Sequence, residues 1–291
     1  MGQLPAPGVV VISRDPPAGL AQRLRTFADA GVPVIVVDNG SAIIDWMSEI
    51  GRLGAITLIH NTENRGIAAA LNQGLDALVE AGCSHALLLD HDSAVTKECF
   101  QRMRNALRIL PDNAVGIVPC LKHPKPGMRC RWPQVVADSR WRFRFVYAES
   151  LSQPTPVDVA ISSGMLLDLA KLEDIGAFRD ELFIDLVDTE LCLRARRHGL
   201  RLYAVPGAWM SHSIGTPVQR GSSKLPMFPT FHPPLRHYYL ARNRIHLYRE
   251  YAREFPFWAI YETLGAVKLF IKVVLFEPGR GRKLRAMLRA T

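Results

Sequence analysis

Five short apolar runs, separated by stretches with helical spacing, constrain this 291-residue chain more than any other feature. They are VVVIS (9–13), VPVIVVDNGS (32–41), AITLIHN (55–61), HALLLDHDS (85–93) and VGIVP (115–119). β-Branched and aliphatic residues fill these runs with little alternation, as in strands buried on both faces of a parallel sheet. LAQRLRTFADAG (20–31) reads as a helix stopped by Gly31. In NRGIAAALNQGLDALVEAG (64–82), Ile67, Leu71, Leu75, Leu78 and Val79 recur at helical spacing, with Gly82 behind them. Strand–helix–strand repetition predicts an α/β fold: a mostly parallel, Rossmann-like sheet with flanking helices. A hydrophobic content of 48% is ample for its core.

The second half is less regular. Residues 122–157 are rich in proline, arginine and aromatics and read as an insertion or a site rim. VDVAISSGMLLDL (157–169) and RLYAVP (201–206) are strand-like, and FIDLVDTELCLRARRHG (183–199) turns helical near Asp188. Residues 211–231 suggest a loop able to close over a ligand, and 233–255 a helix. The run 255–276 is strongly apolar but holds Glu262, Lys268 and Lys272, so it is a poor membrane span. With Arg280, Arg282, Lys283, Arg285 and Arg289 behind it, it suits the surface of an anionic membrane. Packing on the domain, or a homodimer interface, is the plainer reading. The expected division is a catalytic domain over 1–250 and an amphipathic, basic helical extension over 251–291.

A formal charge of +9 favours anionic partners. No zinc-finger spacing or recognition helix accompanies it, so nucleic acid is not expected. Five cysteines without a C-x-x-C pair predict neither a disulfide framework nor a zinc site. The N-terminus has no signal-peptide pattern, and a cytoplasmic location is expected. No G-x-G-x-x-G follows the first strand, which argues against a dinucleotide-dependent dehydrogenase. No Gly-rich phosphate loop supports a nucleotidyltransferase. A non-catalytic basic module that binds membrane or nucleic acid stays as an alternative, disfavoured by the carboxylates at 90, 92 and 188.

In open α/β sheets ligands bind beyond the carboxyl ends of the strands. Asp38, Asp90 and Asp92 stand there. Asp90 and Asp92 are two apart, on one side if the chain is extended, and two carboxylates suit a hard cation beside a phosphate. His91 between them is assigned no role. Asp38, Asn39 and Ser41 suit contact with a base or ribose, or an ordinary Asx turn. Asn64 is placed to cap the following helix, whose N-terminus favours an anion, and Asn72 to bond across to a neighbouring loop. Asp188 is either a helix cap or a general base for an attacking hydroxyl. His212 suits a cation site, and Tyr239, Arg242 and Asn243 suit a diphosphate. For Asp90, Asp92, Asn72, His212 and the 239–243 face the bland alternative is a solvated residue.

Taken in order, VVVISR, VVDNGS, NRGIAAALNQG, LLLDHDS, SSGMLLD, FIDLVDTELCLRARRHG, SHSIG and YYLARN resemble glycosyltransferase family 2, over about residues 8–250. FIDLVDTELCLR with SHSIG and YYLARN is similar to its rhamnosyltransferase branch. The resemblance implies a GT-A fold and an inverting, metal-dependent transferase. Its donor would be dTDP-L-rhamnose, or otherwise a UDP- or GDP-sugar, and its acceptor a glycan or polyprenyl-linked molecule in surface polysaccharide synthesis. It further implies a nucleotide site from Ser13, Arg14, Asp38, Asn39, Ser41, Asn64, Gly66 and Asn72. It implies a manganese or magnesium site from Asp90, Asp92 and His212, with Asp90 also close to the donor. Arg242 and Asn243 would face the diphosphate, and Asp188 would be the base. Many members carry Glu-Asp at the base where this chain has Val187-Asp188, which leaves Asp185 as a rival.

Overall fold

A computed structural model describes residues 6–122, 131–132, 146–212 and 231–290. The chain forms two compact units: Met1–Phe183 with Val187–His212, and Ile184–Leu186 with Ser213–Thr291.

The first unit is a sheet flanked by helices. Its elements are β1 (Pro7–Ser13), α1 (Leu20–Ala28), β2 (Val34–Asn39), α2 (Trp46–Gly51), β3 (Ile56–Asn61), α3 (Ile67–Glu80), β4 (His85–Asp90), β5 (Ser93–Ala94), α4 (Lys97–Ala106) and β6 (Ala114–Lys122). A two-strand pair, β7 (Arg131–Trp132) and β8 (Val146–Tyr147), stands apart from the sheet. β9 (Thr155–Val157), β10 (Leu166–Asp168), α5 (Leu169–Ile175), α6 (Val187–Arg197) and β11 (Arg201–His212) complete the unit.

The sheet order is β3-β2-β1-β4-β10-β6-β11-β5, with β9 also on β11. β3, β2, β1 and β4 run parallel, as do β6 and β11. β10 runs against both of its neighbours, so the sheet is mixed but mostly parallel, as expected. The single strand anticipated over 157–169 divides into β9 and β10. The residues between them bond to other elements instead: Gly164 donates to the Leu88 carbonyl at 2.7 Å, and Ser162 donates to Asp188 at 3.3 Å.

Every residue of β1 is buried, which is why its sequence lacks polar alternation. Leu20, Leu24 and Phe27 of α1 repeat every three or four residues and enter the core, where Phe27 meets Phe100 edge-to-face at 5.3 Å. α3 buries Leu71, Leu75 and Leu78, while Val79 falls off that face and is exposed. Gly74 lets α3 lie close on β1, because a Cβ there would stand 2.3 Å from Val10 Cγ1. The cysteines at 83, 99, 120 and 192 are free. Burial pushes the Cys99 thiol up to about 11 and those of Cys120 and Cys192 up to about 12, so these three are packing residues rather than nucleophiles.

The second unit contains α7 (Pro234–Tyr251), α8 (Pro256–Phe276) and α9 (Arg280–Leu288). The Tyr248 and Trp258 rings meet edge-to-face at 5.6 Å, and Arg244 pairs with Glu262 at 2.8 Å. Glu277 and Lys283 form a buried ion pair at 2.6 Å. His237 Nε2 lies 3.7 Å from the same carboxylate, beyond hydrogen-bond range, and both of its ring nitrogens are buried without a hydrogen-bond partner. Among the described residues, no helix is long and apolar enough to cross a membrane.

Candidate active site at the strand ends

The parallel register aligns the carboxyl ends of four strands. Ser13 stands beside Asp38, Asp38 beside His60, and Ile12 beside Asp90. The polar residues that close each apolar run are therefore gathered at one edge of the sheet.

Asp38 is fully buried. Its carboxylate accepts from the Ser41 hydroxyl, from the Ser41 amide at 3.3 Å and from His60 Nδ1 at 2.8 Å. Ser41 Oγ in turn accepts from the Asp15 amide at 2.7 Å, and Asp15 Oδ1 accepts from the Ala42 and Ile43 amides. Asp15 and His60 thus belong to this constellation, although sequence reading did not single them out. The aspartate after Ser13-Arg14, and a histidine just before the polar end of the third run, were the available signals. The His60 side chain is 43% exposed where that of Asp38 is 0%. His60, not Asp38, is the group a ligand can touch. Ser13 Oγ is buried without a hydrogen-bond partner, a costly state unless a ligand or water supplies one. Arg14 is exposed and donates to the Gly40 carbonyl at 3.3 Å.

Asn39 fastens the loop that opens α3. Its amide donates to Asn64 Oδ1 and the Gly66 carbonyl, both at 3.0 Å, and its own oxygen accepts from the Arg65 amide at 2.9 Å. The helix cap is Gly66 rather than Asn64, because Asn64 Oδ1 is engaged by Asn39 and the Gly66 amide. Gly66 has φ of +87°, and a Cβ there would fall 2.7 Å from the Phe183 ring. Asn72 reaches away from this edge: it donates to the Phe178 carbonyl at 2.8 Å and Asp180 at 2.7 Å, and accepts from the Phe178 amide at 3.0 Å.

The D-x-D is not extended. β4 ends at Asp90, and His91 and Asp92 form a turn, so strand alternation does not set the direction of these side chains. His91 has a structural task after all: its Nδ1 accepts from the Arg14 amide at 3.3 Å, and its carbonyl accepts from Arg23 at 2.9 Å. These bonds join the end of β1 and helix α1 to the D-x-D turn. The Asp90 amide donates to Ser163 Oγ at 3.2 Å, and Ser163 Oγ lies 2.7 Å from Ser93 Oγ. The backbone of His212 pairs with Ser93, one residue past Asp92, while its side chain lies outside the described residues. No group of three metal-binding side chains gathers among the described residues. Two carboxylates still fit magnesium or manganese, which take one or two from the protein and complete their shell with phosphate and water. A cavity of about 380 Å³ beside Asp90 is lined by Val11, Leu24, Phe27 and Leu89 on one hand and by Arg23 and Lys97 on the other.

Asp188 lies in the first turn of α6. Its carboxylate accepts from the Thr189 amide at 2.7 Å and the Ser162 amide at 3.3 Å. Consecutive residues therefore meet both segments: the Ser162 amide donates to the Asp188 carboxylate, and Ser163 Oγ accepts from the backbone amide of Asp90. Before α6 the chain passes through Phe183, Asp185 and Leu186, all with positive φ between 61° and 65°. Three such non-glycine residues in four positions mark strain of the kind that functional sites retain.

Within the second unit, Arg236 grips both oxygens of Asp185, with nitrogen–oxygen distances from 2.9 to 3.2 Å. A carboxylate held in this bidentate way is poorly placed to take a proton from a substrate. Asn243 is fully buried and donates to the Ile184 carbonyl at 2.9 Å and the Asp185 carbonyl at 2.8 Å. Arg242 donates to Asn243 Oδ1 at 2.8 Å and stacks on Tyr239 at 4.8 Å. Asn243 thus buckles the 184–186 segment within its own unit. The loop expected to close over the ligand lies outside the described residues, apart from its two ends, and so does most of the basic stretch 122–157.

The model for glycosyl transferase family 2 matches residues 9–176, more than half of the chain. The dTDP-rhamnosyl transferase RfbF of Shigella flexneri is 29% identical, over 79% of this chain and 78% of that protein. Two solved structures share the fold. One is GalNAc-T7 with UDP, GalNAc and Mn2+, at TM-score 0.57 and 14% identity, covering 72% of this chain. This chain spans only 44% of that protein. The other is S. aureus TarS 1–349 in complex with UDP-GlcNAc, at TM-score 0.52 and 13% identity, covering 98% of this chain and 71% of that one.

Proposed function

The chain belongs to glycosyl transferase family 2, and on that premise we propose that it transfers L-rhamnose from dTDP-L-rhamnose, with inversion and with a divalent cation, to a glycan or polyprenyl-linked acceptor. The observation that carries this reading is the Ser162-Ser163 pair, which ties the Asp188 carboxylate and the Asp90 backbone, the start of the D-x-D, to one short segment. Likeness to the Shigella flexneri enzyme supports the donor. UDP-sugars are the second choice, because TarS, which shares only the fold, was solved with UDP-GlcNAc. A reducing, cytoplasmic site of action belongs to the same proposal and suits the cysteines among the described residues, all four of them free.

In this mechanism the base and ribose of the donor lie over the ends of β1 to β3. Asp38 acts from beneath, holding His60 and Ser41 in place. His60 offers its exposed ring edge to the nucleotide, and Ser13, buried beside Asp38, belongs to the floor beneath it. Asn39, Asn64 and Gly66 fix the loop that borders the nucleotide. Asp90 and Asp92, aided by His212, would hold the cation, which when bound offsets charge on the departing diphosphate. Asp188 takes the proton of the acceptor hydroxyl while that oxygen bonds to the anomeric carbon. The bond from this carbon to the diphosphate oxygen breaks on the opposite face, so the configuration inverts. Asp185 is not the base, because Arg236 occupies it. Asn72, Arg242 and Asn243 act by position, through the loops they brace.

The test is a donor panel with water as the default acceptor. Release of nucleoside diphosphate from dTDP-L-rhamnose, UDP-GlcNAc and GDP-mannose is followed with Mn2+ and with chelator, and the anomer formed is read by NMR. The reading expects dTDP release to lead by about tenfold or more, dependence on the cation, and inverted product. Faster turnover of a UDP- or GDP-sugar would displace the donor, and a retained configuration would reject the single displacement.

A further inference from the structure

α8 is apolar over most of its surface, and among the described residues it packs on one side. Trp258, Glu262, Leu269 and Val273 form its inner face, where Trp258 and Val273 are buried and Glu262 meets Arg244. On the outer face Ile260, Leu264, Val267, Ile271 and Leu275 succeed one another at three- or four-residue spacing. Each is between 40% and 64% exposed. A continuous apolar stripe left in water marks an interaction surface. Val267 and Phe270 also line a groove of about 320 Å³, walled by Leu240, Ala241, Leu269 and Met287, which deepens the apolar surface.

The charge around the stripe selects the occupant. Residues 256–291 carry seven Lys and Arg against two Glu. Both glutamates are neutralised inside the unit, Glu262 by Arg244 and Glu277 by Lys283. Lys268 flanks the stripe and is exposed, and so are Arg280, Arg282, Arg285 and Arg289 of the following helix. A second copy of the chain would bring the same positive charge to the contact and be repelled. An anionic bilayer brings the opposite charge together with an apolar interior. At 21 residues α8 is about 31 Å long, but Lys268 and Lys272 interrupt it and it does not qualify as a span.

We infer that α8 lies in the plane of an anionic lipid surface, with the Ile260–Leu264–Val267–Ile271–Leu275 stripe in the acyl boundary and Lys268 and the α9 arginines among the headgroups. The lysines keep their ammonium groups in water while their stems follow the apolar surface. Such docking does not depend on which sugar the first unit handles.

The test uses the full chain with phosphatidylcholine vesicles, with and without phosphatidylglycerol, in a sedimentation assay. The wild type should bind the anionic vesicles, bind the neutral ones weakly, and lose binding as salt rises. Leu264→Asp with Ile271→Asp should weaken binding by about tenfold or more, with thermal melting unchanged because both residues are exposed. Lys268→Glu with Lys272→Glu should remove the preference for anionic lipid. If the double Asp variant melts early, Leu264→Ser with Ile271→Ser replaces it and must show the same loss. No binding to anionic vesicles at low salt, or undiminished binding by a folded stripe variant, overturns the proposal. A dimer in sedimentation velocity that the stripe variant dissociates, without vesicle binding, gives the face to a second copy instead.

Discussion

α3 and α8 are both rich in aliphatic residues, but they spend them differently. α3 buries Leu71, Leu75 and Leu78 against the sheet, and Gly74 brings it close enough to touch Val10. Its polar residues serve loops: Asn72 holds 178–180, and Gln73 exchanges two hydrogen bonds with Asn61. α8 buries Trp258 and Val273 and leaves a second apolar face in water. Among the described residues, packing accounts for every large apolar side chain of α3 except Val79, but not for Ile260, Leu264, Val267, Phe270, Ile271 and Leu275 of α8. The first helix spends its apolar residues on the sheet, and the second keeps a continuous exposed stripe, the surface for which lipid docking is proposed above.

Four predictions press on the two units in turn, three on the first and one on the second, from the largest effect to the smallest. Asp188→Asn keeps the hydrogen-bonding shape but removes the proton acceptor. Transfer should fall by about 10²–10⁴-fold with donor affinity nearly intact, as steady-state rates and nucleotide titration would show. An equal loss in both would make Asp188 a binding residue. Gly66→Val sets a branched side chain at φ +87° and against Phe183, and should cost about 3 kcal/mol or more in a thermal or urea melt. A cost near zero would mean that the α3 loop is not fixed as described.

Asn39→Ala strips the Arg65 amide and the Gly66 carbonyl of a partner at a site that is 5% exposed. It should cost about 1–3 kcal/mol and loosen nucleotide binding along with it. The fourth prediction concerns pH. Burial holds His85, His232 and His237 below the ordinary imidazole value of 6.5. The folded chain then binds fewer protons than the unfolded chain as pH falls through that value. Stability from these histidines is therefore full above about pH 6.5 and is lost on acidification. His237→Gln should flatten the fall in melting temperature between neutral and mildly acidic buffer, and an unchanged slope would remove His237 from the account.

The elements carried by periodicity were legible in the sequence. β1 to β4, α1 and α3 lie where their apolar runs put them, because a strand buried on both faces leaves a plain compositional trace. Asp38 and Asp90 could be found at strand ends for the same reason. Other features leave no such trace. The split of 157–169 depends on bonds to Leu88 and Asp188, which are distant in sequence. The turn at His91-Asp92 is set by Arg14 and Arg23, and the burial of Asp38 by His60 and Ser41. Asp185 and Asp188 look equivalent as letters, and the bidentate grip of Arg236 on Asp185 joins residues 51 apart that no local pattern connects. Side chains that act through partners far along the chain are the part that a single sequence withholds.

Calorimetric titration with dTDP, UDP and GDP, each with and without Mn2+, tests the central claim most directly. The account predicts cation-dependent binding that is tightest for dTDP, retained by Asp188→Asn and weakened by Asp90→Ala and Asp92→Ala. Absence of cation-dependent binding to all three nucleotides, in a sample with a cooperative thermal transition, would contradict the assignment of the strand-end loops as the donor site.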